Sequence, residues 1–151
     1  MATLTKRATL TTEDIAQFLN DFPELNRLTS KPEFTSERVN RAIQFVIDEW
    51  NETPPLIHNY TRESFPYRTT LLYGTVGHLF AGESAFQERN HLAYSSGGLS
   101  VDDSNKAQPY MQISQYFSGK FKEVMERQKR AENVLNGWGV VPSRLYSRGR
   151  R

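Results

Sequence analysis

Apolar positions recur at helical spacing along most of this chain. Thr11 and Thr12 offer an N-cap, and Glu13 and Asp14 follow in the first turn, where carboxylates favour the helix dipole. Ile15, Phe18, Leu19 and Phe22 then stand at i, i+3, i+4 and i+7, so a short first helix is predicted, stopped by Pro23. The second helix is the clearest. Behind a cap at Thr35 or Ser36, the residues Val39, Ala42, Ile43, Val46, Ile47 and Trp50 hold one face over three turns. Asn51 and the Pro54-Pro55 pair end it, since neither proline fits a helix interior.

A third helix is predicted from around Ser64, with Pro66 in its first turn, to about Asn90. Gly74, Gly77, Ala81 and Ala85, with Gly82 beside them, make it unusually rich in small residues. A helical glycine costs about 1 kcal/mol against alanine. Close approach of a neighbouring helix would offset that cost; a hinge at Gly74–Gly77 is the functional alternative. Next, Leu92-Ala93-Tyr94 and Leu99-Ser100-Val101 alternate around Ser95-Ser96-Gly97-Gly98, the pattern of a small β-hairpin near 92–101. Such a hairpin is marginal alone and needs support from the bundle or from another subunit.

After Asp102, Asp103 and Ser104, any of which could cap, a long last helix runs to Asn136, with Gly137 as its stop and Pro109 in or near its first turn. Tyr110, Ile113, Phe117, Phe121, Val124, Gln128, Ala131 and Leu135 form a heptad-like seam. From Ser104 this helix would be roughly 50 Å long, and its charged half, Lys120 to Glu132, is expected to project beyond the body. The fold class is therefore all-α: a bundle of three or four main helices with a long C-terminal helix, one small hairpin and extended termini. Residues 1–10 read as a flexible tail, 11–137 as the bundle, and 138–151 as an extended basic arm.

Charge refines this layout. The chain carries a nominal +2, but from Trp138 onward Arg144, Arg148, Arg150 and Arg151 occur without an acid, giving the arm +4. With Lys6 and Arg7 also set aside, residues 11–137 hold 13 bases against 17 acids, a net −4. A DNA-binding domain should instead be basic across a face. The arm also contains Trp138, Val140, Val141, Leu145 and Tyr146, which a purely solvated tail has little use for. Trp138, Val141, Arg144, Leu145, Tyr146, Arg148, Arg150 and Arg151 are the candidate partner-docking residues, rich in the types that dominate interface energetics. A nucleic-acid contact through the same arginines is the alternative, with a salt slope of roughly −3.6.

Chemistry adds little. There is no cysteine, and His58, His78 and His91 have no i, i+4 partner with which to hold zinc. Asp102-Asp103-Ser104-Asn105 lacks the later glycine and glutamate of a calcium loop and reads better as a cap. No nucleophile elbow or phosphate-cradling glycine loop occurs. Neither a catalytic residue nor a cofactor or metal site is expected, and the chain is not read as an enzyme. Hydrophobic residues make up 37%, and the N-terminus lacks the apolar run of a signal peptide. The longest apolar-looking stretch, 71–82, falls short of a membrane span.

The layout reaches a known family through its order of segments. T-T-E-D-I-A-Q-F-L-N-D-F-P-E-L-N leads to F-T-S-E-R-V-N-R-A-I-Q-F-V-I-D-E-W-N and T-P-P. A glycine-rich helix, R-N-H-L-A-Y-S-S-G-G-L-S-V-D-D, a long helix and a basic arm follow. Over most of residues 11–151 this resembles the head-to-tail adaptors, also called connector, neck or head-completion proteins, of tailed bacteriophages. The resemblance implies a virion protein of the neck, assembled in the host cytoplasm. Its copies would form a ring, typically a dodecamer, beneath the portal vertex. The C-terminal arm would dock on the portal protein, and the other face would receive the tail or a further neck protein. DNA would pass through the lumen without sequence-specific binding, and no membrane is involved. By the same analogy, Tyr94, Gly97, Gly98, Leu99 and Val101 of the hairpin would touch a neighbouring subunit or the next neck layer. The alternative is a small nucleic-acid-binding or packaging accessory protein using the arginine arm.

Overall fold

The computed structural model describes residues 9–26, 30–90 and 106–136 in full, and the backbone alone of 93–96 and 99–102. The fold is all-α, with four helices among the described residues: α1 (Thr12–Leu19), α2 (Ser36–Glu52), α3 (Arg68–Arg89) and α4 (Ala107–Asn136). Between α3 and α4, β1 (Ala93–Ser96) and β2 (Leu99–Asp102) run antiparallel, with Tyr94 opposite Val101.

Local chemistry sets each boundary. Thr11 caps α1: its hydroxyl accepts from the Asp14 N–H at 3.1 Å, while the Asp14 carboxylate accepts the Thr11 N–H at 2.8 Å. Asn20 ends α1 in the left-handed region (φ 53°), so the helix stops three residues before Pro23, the stop predicted from sequence. Thr35 caps α2, and Val39, Ala42, Ile43, Val46, Ile47 and Trp50 are all buried, which is the full predicted face. The third helix starts at Arg68 instead of around Ser64. The Ser64 hydroxyl accepts the Thr61 N–H at 2.8 Å within a tight turn, and Phe65, ahead of Pro66, is disfavoured in helical geometry. The last helix starts at Ala107, with Pro109 its third residue, and spans 30 residues, about 45 Å.

Helix α3 lies between α2 and α4. A Cβ on Gly74 would stand 2.5 Å from Val46 Cγ1 and 3.0 Å from Phe121 Cδ2, and one on Gly77 would stand 2.6 Å from Ser118 Oγ. The glycines therefore serve close packing, as expected from their cost. Ala81, Gly82 and Ala85 do not take part; they face outward. Ile15 of α1 joins this core, as does Leu10, the last residue of the segment read as a tail. Asp14 pairs with Arg68 at 2.5 Å, tying α1 to the start of α3. Asp21 accepts from the Glu33 and Phe34 N–H groups at 2.6 and 2.8 Å, closing the α1–α2 connection.

The seam of α4 departs from expectation. Tyr110, Phe117, Phe121, Val124 and Gln128 are buried or half-buried, but Ile113, Ala131 and Leu135 face outward, Leu135 at 82% exposure. Ser114, Met125, Lys129 and Glu132 are buried instead. The small Ser114 and Ser118 turn the helix so that its backbone approaches Gly77: the Ser114 hydroxyl donates to the Gly77 carbonyl at 3.0 Å. The charged half of α4 does not project. Phe121, Met125, Lys129 and Glu132 bury it against the body.

Candidate functional site

The last two turns of α4 carry the polar chemistry that the sequence pattern missed. Lys129 is only 3% exposed and Glu132 7%. The isolated burial of such groups costs several kcal/mol unless they are hydrogen-bonded, so their partners decide whether the arrangement holds. The Lys129 ammonium donates to the carbonyl of Thr53 and, at 3.4 Å, to that of Pro55. Thr53 is the C-cap of α2, so the cation sits at the negative end of that helix dipole. It also lies 5.3 Å from the Trp50 ring centre, within cation–π range. Three residues on, the Glu132 carboxylate accepts from the Tyr60 hydroxyl at 2.8 Å and the Tyr67 hydroxyl at 2.6 Å.

These partners come from the α2–α3 connection, which is densely aromatic. Phe65 and Tyr67 each lie 5.2 Å from Trp50, centre to centre, and Tyr60 lies 5.6 Å from Phe65. Asn51 fixes the connection at both ends of its side chain, donating to the Tyr60 carbonyl at 2.8 Å and accepting the Tyr60 N–H at 2.9 Å. At the final residue of α4, the Asn136 side chain meets His58 Nε2 at 3.1 Å. Thr70 adds one more tie, donating to Gln128 at 2.8 Å.

The electrostatics follow from the contacts. Burial, reinforced by the Glu132 carboxylate, pushes the Tyr67 phenol up to about 12 and moves that of Tyr60 in the same direction. Burial pushes the Lys129 ammonium the other way, with Glu132 partly opposing it. The cluster thus keeps both phenols protonated as donors to Glu132. Among the described residues no three His, Cys, Asp or Glu side chains converge to hold a metal ion, and no helix is long and apolar enough to cross a membrane.

The docking residues read from the sequence, Trp138, Val141, Arg144, Leu145, Tyr146, Arg148, Arg150 and Arg151, lie outside the described residues, as do His91, Gly97 and Gly98 and the side chains of Tyr94, Leu99 and Val101. His78 forms an interhelical contact with Glu49 of α2 at 3.1 Å. Lys129 and Glu132 had a signal in the sequence: they continue the 3–4 spacing of Phe121 and Met125. Four rings in ten residues, His58, Tyr60, Phe65 and Tyr67, also marked the connection as something more than a solvated loop. Compared with known protein families, curated proteins and solved structures, the chain matches none.

Proposed function

We propose that this chain is a structural adaptor of a tailed-phage neck. Its copies form a ring, its C-terminal arm (138–151) docks on the portal protein, and the opposite face receives the tail or a further neck protein. The observation that carries the reading is the anchored root of the arm. Residues 129–136 are held to the α2–α3 connection through Lys129, Glu132 and Asn136, and the basic, aromatic arm begins two residues later. A docking arm gains affinity when its point of departure is fixed, because less freedom is lost on binding. The net −4 of residues 11–137 suits a lumen through which DNA passes without being gripped. The segment 92–101 is assigned to a contact with a neighbouring copy or the next neck layer.

The test mixes the full chain with the portal protein of the same phage and follows mass by size-exclusion chromatography with light scattering. A complex with several copies per portal is expected, and deletion of 138–151 should abolish it while leaving helical content unchanged. Failure to form either a ring or a portal complex across salt and concentration sinks the reading. Retention of the complex after the deletion removes the docking role of the arm.

A further inference from the structure

A cleft of about 710 Å³ opens where the N-terminal turns of α2 and α4 meet the C-terminal turns of α3. Its walls bring four cations, Lys31, Arg38, Arg89 and Lys106, against two anions, Glu33 and Glu83. In a body of net −4, this is a local reversal of sign. Both carboxylates are already engaged. Glu83 is buried, paired with Arg38 at 3.1 Å and bonded by the Gln87 amide at 2.9 Å. Glu33 is hydrogen-bonded by the Tyr110 hydroxyl, whose ionisation is pushed upward by burial and by that carboxylate. Arg89 is exposed and has no partner among the described residues.

The cleft also offers an apolar contact. Phe86, on its wall, is 47% exposed. Asn26 and Gln87 each commit the side-chain N–H internally, Asn26 to the Lys31 carbonyl and Gln87 to Glu83, which leaves their oxygens to accept peptide N–H groups. We infer that this cleft binds an acidic segment of another protein, a carboxylate of which meets Arg89 at the cation-lined wall while an apolar side chain covers Phe86. Charge complementarity decides for a peptide over nucleic acid. A phosphate backbone would carry a dense row of charges past Glu33 and Glu83, and it needs cations that track it. Here Arg38 is neutralised by Glu83, and an exposed aromatic ring, Phe86, shares the lining with the cations. A free phosphate would leave that ring uncovered. The volume lies within the range of sites that enclose a ligand. The inference stands independently of the adaptor reading.

The test is an amide-resolved NMR titration of the full chain with a nonapeptide of eight glutamates around a central leucine. Saturable shifts are expected at Gly82, Phe86 and Arg89. In the double variant Arg89→Glu/Lys106→Glu, both at exposed positions, affinity should fall at least tenfold while the remaining amides keep their positions. Phe86→Ala should weaken binding by a smaller factor. Shifts confined to 138–151, where the arginine arm would capture any polyanion, overturn the proposal. So does equal affinity in the double variant, or binding of a 12-nucleotide single strand or inorganic phosphate at the same amides with the same strength.

Discussion

Three glycines in comparable helical settings are expected to respond in opposite ways to one methyl group. At Gly74 the new Cβ meets Val46 Cγ1 at 2.5 Å and Phe121 at 3.0 Å, both held in the core. At Gly77 it meets Ser118 Oγ at 2.6 Å and, less forgivingly, the Ser118 backbone nitrogen at 3.1 Å. At Gly119, in the middle of α4, nothing lies within 4 Å. Alanine gains about 1 kcal/mol of helix propensity at each site, while overpacking costs about 1–3 kcal/mol. Clash should win at the first two sites and propensity at the third. Urea unfolding is expected to show Gly74→Ala and Gly77→Ala less stable by up to about 2 kcal/mol, and Gly119→Ala more stable by about 0.5–1 kcal/mol. Stabilisation at Gly74 or Gly77 would mean that α2 and α4 do not approach α3 this closely.

Among the elements, legibility tracked how burial is distributed around each helix. Helix α2 buries one stripe and exposes the rest, so its six core residues could be read off directly. Helix α3 is covered by α2 and α4 and buries Thr70, Thr75, Glu83 and Ser84 along with its apolar residues, which blurs any stripe. Only its glycines announced the close packing. In α4 the seam was displaced because Lys129 and Glu132 look solvated until their partners are known, and those partners sit more than sixty residues away in the chain. Spacing cannot reveal that a carboxylate will be met by two phenols. A double-mutant cycle measures this directly. Tyr67→Phe should cost about 1.5–3 kcal/mol, as for a hydrogen bond to a charged group. In a Glu132→Ala background, where the hydroxyl has already lost its acceptor, it should cost close to nothing. Equal costs in both backgrounds would show that Glu132 does not hold the tyrosine. The same cycle tests whether the root of the arm is fixed, since Glu132 lies four residues before the end of α4.

For the whole molecule, three half-buried phenols are expected to set the alkaline limit of the fold. Burial comes first and a neighbouring carboxylate second in raising Tyr60 and Tyr67 (Glu132) and Tyr110 (Glu33), with Tyr67 reaching about 12. An unfolded tyrosine loses its proton near pH 10, before these folded ones do. Above that pH the unfolded state binds fewer protons than the folded state, so stability falls as pH rises. The contribution of the phenols is complete below about pH 10 and drains away as pH rises through their raised folded values, of which that of Tyr67 is about 12. Lys129 acts in the opposite sense. Its ammonium is penalised by burial, so that penalty is relieved as pH rises from its lowered folded value to the ordinary value of 10.5, and nothing further is gained beyond it. The two effects oppose each other up to about 10.5, and only the loss from the phenols remains above. Thermal melts across pH 9 to 12 are therefore expected to change little at first and then to fall steeply. The Tyr60→Phe/Tyr67→Phe variant should begin from a lower Tm at pH 9 and decline with a visibly shallower slope. An unchanged slope in that variant would assign the alkaline loss to other groups and remove Glu132 and its two tyrosines from control of the fold.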